Sequence, residues 1–328
     1  MRIIFFGTPD FAIPSAEACH QAAELLAVVS QPDKARGRKQ QVSPSPVKQW
    51  ALDQNIRVFS PRSIKKPLCE DYSTLMDFIN EEKPDLFVVT AYGRIFPEEL
   101  LKLARFGAVN VHASLLPRWR GAAPIQRSIE AGDLKTGVSL QKMVLELDAG
   151  DVVSEIKTDI RTGEGAVELS SRLSKMGKEL LIPFLKDLKL RQKIDGTPQN
   201  STKVTFAEKI DKEEGNFSST WKASEFINRT RAFNAWPNVR ACVFNAATLL
   251  KNPPFVIFLE AQQSEHKDSN VRAGEIVLFE KKCLLKCSDK FAQILKIKIP
   301  GKGPIDAFSY FKNLSTNAGH QALRIDNL

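Results

Sequence analysis

The chain has no apolar run near the roughly 20 residues that cross a bilayer, so no membrane-spanning helix is expected. Its opening, Met1-Arg2-Ile3-Ile4-Phe5-Phe6-Gly7, has a short apolar run with no small-residue cleavage site after it. It reads as a buried strand and not as a secretory signal, which makes a cytoplasmic location the expectation. Cysteine is sparse: Cys19, Cys69, Cys242, Cys283 and Cys287 are odd in number and scattered, which argues against a disulfide framework. Cys283 and Cys287 lie four apart without a histidine or a second cysteine pair, so they read as ordinary thiols and no metal is expected. Glycine is missing where a dinucleotide would need it. After Ile3–Phe6 only Gly7 is present, and Pro9 stands where a second glycine would fall. That speaks against a nicotinamide-dependent dehydrogenase. There is no internal repeat and no long low-complexity tract.

At 328 residues and 43% apolar composition the chain is globular, and its length favours two domains. The net charge of +9 is unevenly spread. From Lys203 onward there are 19 basic and 13 acidic residues, against 28 and 25 before it. The basic excess is therefore concentrated in the smaller C-terminal part. It suits a polyanion such as RNA, and equally a plain solvated surface.

The first 190 or so residues alternate strand-like and helix-like segments. Ile3–Phe6, Leu25–Ser30, Asp85–Thr90 and Gly107–His112 read as strands, with helical spacing over Ala16–Ala23 and Tyr72–Glu82. This is the pattern of a mostly parallel sheet covered by helices. Val138–Met143 and Val152–Ile156 read as an antiparallel extension joined by a turn around Asp148-Ala149-Gly150. Ala166–Leu181 reads as an amphipathic helix closing the domain, with Pro183 just past its end. The division is thus 1–190 as an α/β catalytic domain, 191–207 as a polar linker, and 208–328 as a second domain. In the latter a helix over Ser224–Ala232 precedes short strands at Val239–Phe244, Phe255–Ala261, Gly274–Phe279, Lys282–Cys287 and Ile294–Ile299, the signature of a small barrel.

Open α/β sheets bind ligands beyond the carboxyl ends of their strands. Asn110 and His112 lie at such an end, two residues apart and so on one face of a strand. The turn at Asp148 would return towards them. An amide that can polarise a carbonyl, an imidazole that titrates near neutrality and a carboxylate that orients it can together move an acyl group between nitrogens. Each also has a plain structural reading: a satisfied histidine, a strand-end asparagine, a turn aspartate before Ala-Gly. The loop Gln31–Gln41 carries Lys34, Arg36, Arg38 and Lys39, which can grip phosphates or simply meet water.

These motifs resemble the methionyl-tRNA formyltransferase family along nearly the whole chain. The anchors are Phe6–Phe11, Gln31-Pro32-Asp33, Pro44–Lys48, Ala91-Tyr92-Gly93, Asn110–Gln126, Leu147–Asp151, Ala207–Ile210, Arg231–Asn234 and Trp236-Pro237. The resemblance implies a Rossmann-like catalytic domain and a C-terminal barrel of the oligonucleotide-binding type that holds tRNA. It implies transfer of a formyl group from 10-formyltetrahydrofolate to methionine on initiator tRNA, in translation initiation. Asn110, His112 and Asp148 match the family's catalytic set; Ser114, Leu115, Leu116 and Pro117 match its folate-donor loop. Arg38 stands where the loop arginine recognises the acceptor stem, with Arg36 and Lys39 beside it. The expected partners are initiator methionyl-tRNA and the folate donor, with no membrane, and the chain is expected to be a monomer. The competing readings are a formyltransferase acting on a small amine, such as an amino sugar or purine precursor, and a non-catalytic RNA-binding protein that has kept the fold.

Overall fold

The computed structural model describes residues 1–36, 41–64, 70–245, 255–317 and 323–326. The chain forms two compact units. The first comprises Met1–Pro124, Lys135–Asp159 and Ser170–Ala207; the second comprises Ile125–Leu134, Ile160–Leu169 and Glu208–Leu328.

The first unit is built on a sheet of seven strands: β1 (Arg2–Gly7), β2 (Glu24–Val29), β3 (Val58–Phe59), β4 (Leu86–Thr90), β5 (Ala108–His112), β6 (Lys135–Lys142) and β7 (Val152–Asp159). Their order across the sheet is β7-β6-β5-β4-β1-β2-β3. The five strands from β5 to β3 are parallel, and β6 and β7 extend the sheet antiparallel, as the alternating sequence pattern implied. Ile3, Ile4, Phe5 and Phe6 are all fully buried, because β1 is covered on both faces. On one face Phe6 meets Phe87, Tyr92 and Phe96 edge-on, with ring centroids 4.8–5.5 Å apart. β5 lies between β4 and β6, so the register sets Asn110 beside Gln141 and His112 beside Ser139.

Boundaries shift by a few residues at several elements, and most at the end of one helix. The helix that begins at Ala166 does not stop before Pro183 but runs to Arg191 with the proline inside it. A proline inside a helix costs about 3 kcal/mol through a lost hydrogen bond and a ring clash. Pro183 and Glu179, whose carbonyl loses its donor, are both exposed residues. On the opposite stripe Leu181, Leu185 and Leu188 are fully buried. Each such leucine contributes about 1.5–3 kcal/mol, and the stripe outweighs the local penalty.

The second unit carries an antiparallel ring of β8 (Val239–Asn245), β9 (Phe255–Gln263), β10 (Glu275–Phe279), β11 (Lys282–Lys286), β12 (Phe291–Lys298) and β14 (Leu323–Asp326), with β13 (Pro304–Asp306) appended to β12. β9 pairs with both β8 and β12, which closes the ring into the small barrel expected. The helix Ala223–Ala232 packs on it through Phe226, which meets Phe217 and Phe258 edge-on. Cys283 and Cys287 are buried in this unit, and burial pushes the Cys287 thiol up to about 12. The final helix, Ala307–Asn317, and β14 have no counterpart in the sequence reading.

Candidate active site

β5 ends at His112, and the chain then turns through Ala113–Arg118 into a short strand, Arg120–Gly121. Ser114 is fully buried; its hydroxyl donates to the Arg118 carbonyl at 2.6 Å, and its own carbonyl accepts from the Ser139 hydroxyl at 2.8 Å. The Leu116 N–H donates to that same Ser139 hydroxyl at 3.1 Å. Ser114–Pro117 is therefore a braced loop whose polar groups are occupied internally.

The bracing places Trp119, whose backbone is left-handed (φ +63°), so that its carbonyl lies 2.8 Å from His112 Nε2. A carbonyl only accepts, so Nε2 carries hydrogen; this assigns the tautomer from the bond. Nδ1 then faces the Asp148 carboxylate, 3.7 Å from Oδ2. Asp148 itself is left-handed (φ +52°), a conformation that aspartate tolerates better than most residues. Three donors converge on its carboxylate. Gln141 Nε2 donates to Oδ1 at 2.8 Å, Asn110 Nδ2 donates to Oδ1 at 3.3 Å, and the Gly121 N–H donates to Oδ2 at 2.9 Å. The turn returns to the sheet at Gly150, where a Cβ would lie 1.8 Å from the Lys142 carbonyl oxygen. Glycine is required there by close approach of the two strands.

Asn110, His112 and Asp148 thus meet at one point, as their positions at a strand end and a distant turn suggested. The side chains of His112 and Asp148 are 6% and 9% exposed, so their interaction is little screened by water. Beside Asp148 opens a cavity of about 80 Å³ lined by Arg94, Ile95, Phe96, Val144, Leu145 and Leu147, among others. Ile95, Val144, Leu145 and Leu147 are largely exposed, an unusual concentration of aliphatic surface around a polar cluster. Burial pushes the phenol of Tyr92, next to this wall, up to about 12.

Ser114–Pro117 do not line this cavity. Arg36 ends a short strand, Lys34–Arg36, paired with Gln41–Ser43. Arg38 and Lys39 lie outside the described residues. The sequence reading missed Gln141, which faces Asn110 across β5 and β6, and Gln199, which bonds the backbone of the Asp148 turn. Strand register with β5 could have pointed to the first; no local signal marks the second. Among the described residues no group of three or more histidine, cysteine or acidic side chains could hold a metal ion, and no helix is long and apolar enough to cross a membrane.

The family described as formyl transferase matches residues 1–185, and its C-terminal domain matches residues 209–315. A methionyl-tRNA formyltransferase of Sulfurihydrogenibium is 36% identical over 98% of this chain and 99% of its own length. One of Methylococcus capsulatus is 39% identical over 94% and 95%. This chain belongs to the methionyl-tRNA formyltransferase family. The fold extends to more distant proteins. The N-formyltransferase of Helicobacter canadensis, solved with folinic acid and dTDP-3-aminofucose, superposes with a TM-score of 0.62 at 16% identity, covering 89% of this chain and 97% of that one.

Proposed function

We propose that this chain transfers the formyl group of 10-formyltetrahydrofolate to the amino group of methionine esterified to initiator tRNA. The observation that carries the reading is the convergence of Asn110, His112 and Asp148 beside an apolar-walled cavity. The flat ring system of the donor suits the aliphatic wall of Ile95, Val144, Leu145 and Leu147, and the Ser114–Pro117 loop bounds the same strand end.

In the reaction the neutral methionyl amine attacks the formyl carbon. A new C–N bond forms, and the carbonyl oxygen takes up negative charge. One N–H of Asn110 is engaged by Asp148, and its second N–H serves that oxygen. His112 accepts a proton at Nδ1 as the amine becomes an amide, and Asp148 opposes the positive charge that then develops on the ring. The C–N bond to the folate breaks, and its nitrogen takes the proton as it leaves. Holding two substrates in line supplies much of the acceleration.

The domain assignment follows the same reading: catalysis in 1–190, a connection over 191–207, and tRNA held by the basic surface of 208–328 and by Arg36, Arg38 and Lys39. The test is formyl transfer from 10-formyltetrahydrofolate to initiator methionyl-tRNA, with elongator methionyl-tRNA as the control. Initiator-selective transfer is expected. Transfer to an amino sugar or purine precursor in its place would overturn the acceptor assignment. Replacing Arg38 by alanine is expected to impair tRNA-dependent turnover far more than donor affinity, and equal losses would contradict its role. Affinity for tRNA should fall steeply with salt, because phosphate contacts release counterions.

A further inference from the structure

Gln199 lies in the polar segment 191–207, which reads from sequence as a connection between domains. In the structure this segment returns to the sheet. Val152 and Thr197 exchange backbone hydrogen bonds of 2.8 and 2.9 Å, which brings Gln199 against the turn that carries Asp148. Its Nε2 donates to the Asp148 carbonyl at 2.8 Å and to the Gly150 carbonyl at 2.7 Å, and lies 3.5 Å from Gln141 Oε1. Its Oε1 accepts from Arg120 Nε at 3.0 Å. A guanidinium only donates, so Arg120 fixes which end of the amide is oxygen and turns the two N–H groups onto the two carbonyls. Arg120 is buried, and its Nη1 also donates to Glu146 at 2.9 Å, at the other end of the same turn.

We propose that Gln199 is a positioning residue for formyl transfer, acting through the backbone of Asp148. This role rests on the proposed catalytic function and falls on a residue outside the matched motif blocks. Asp148 holds a left-handed backbone without being glycine, so tertiary contacts must maintain it. Gln199 binds the carbonyl of Asp148 itself, while Gln141 binds its carboxylate. One glutamine sets where the residue sits, and the other sets where its charge points. Without Gln199 the turn loses the contacts that keep the carboxylate opposite His112 Nδ1, although the cavity wall at Ile95 and Phe96 is untouched.

The test is a double-mutant cycle in the full-length chain. Gln199→Leu, Asp148→Asn and the double variant are compared in single-turnover formyl transfer to methionyl-tRNA, with affinity for 5-formyltetrahydrofolate measured in parallel. Gln199→Leu is expected to slow transfer about 100-fold, the scale of a misplacement near 1 Å. Donor affinity should fall far less than the rate, within about threefold, since Ile95 and Phe96 lie outside the turn that Gln199 holds. In the Asp148→Asn background the same change should cost less than about threefold, because the residue it positions no longer carries the charge. Gln199→Glu has the same size but turns an acceptor towards two carbonyls, and should be as slow as the leucine variant. Gln199→Met keeps the length and runs alongside, so that misfolding of one variant leaves the cycle intact. Equal losses in both backgrounds, or a rate within about threefold of wild type, would overturn the proposal. If the wild type fails to formylate methionyl-tRNA, the acceptor reading falls instead. The cycle is then read on formyl release from 10-formyltetrahydrofolate to water, with the same two outcomes deciding the role of Gln199.

Discussion

Replacing Asp148 by asparagine probes the site with almost no change of shape. The carboxylate lies 3.7 Å from His112 Nδ1, and both side chains are nearly inaccessible. At an effective dielectric of about 20, unit charges at that distance attract by about 4 kcal/mol, which is roughly a thousandfold in rate if the ring is fully charged in the transition state. Partial charge lowers this, and general acid–base contributions of about 10²–10⁴ bracket the same range. A second loss is structural. Oδ1 accepts from Gln141 and Asn110 and Oδ2 accepts from Gly121, so an amide must set a donor against a donor at one end. That costs about 1–3 kcal/mol of stability. The expected result is a drop of about 10²–10³ in single-turnover formyl transfer, with donor affinity little changed. The assay is quenched-flow transfer at saturating donor and methionyl-tRNA. A variant within about tenfold of wild type would refute the view that Asp148 supports charge on His112.

Gly150→Ala is expected to lower thermal stability, because its methyl would lie 1.8 Å from the Lys142 carbonyl oxygen. Overpacking of about 3 kcal/mol corresponds to roughly 6–12 °C in Tm, and an unchanged melting curve would contradict the close approach. In the second unit Arg127 bonds Glu130 at 2.7 Å and Glu214 at 2.6 and 3.0 Å. Arg127→Met leaves two largely buried carboxylates without it and should cost about 2–4 kcal/mol in denaturant unfolding. Burial pushes the Glu214 carboxyl up, but bonds from Arg127 and the Asp211 N–H outweigh it and hold the group below its ordinary 4.5. The unfolded chain therefore binds the proton more readily, so this contribution is present above about pH 4.5 and is lost as pH falls below it. Unfolding of the second unit followed between pH 6 and pH 3 should show that loss in the wild type and much less of it in Arg127→Met; parallel curves would argue against the pair.

The helix from Ala166 shows why some boundaries were not legible. Pro183 is a local stop signal, and its effect is decided by leucines on the other side of the helix that only tertiary packing buries. The helix Ala307–Asn317 has Ala307, Phe311 and Leu314 in helical spacing, a signal the sequence reading passed over; β14 has no such signal and is a strand because β8 and β10 lie on either side of it. Ser114 illustrates the same limit within the site. Its hydroxyl donates to the Arg118 carbonyl, a contact set by the turn and not by any local periodicity.

The sequence by itself determined the elements whose information is local. Continuous apolar runs become buried strands because both faces must be covered, and a two-residue spacing at a strand end puts Asn110 and His112 on one face. The motif blocks likewise carry the family. Tertiary structure alone decided how the carboxylate of Asp148 is held, since its partners come from positions 110, 121 and 141 and its backbone from position 199. Those distances depend on strand register and on a segment that returns to the sheet after the long helix. No periodicity within a short window encodes contacts closed across 50 residues of chain, such as the 51 between Gln199 and Asp148.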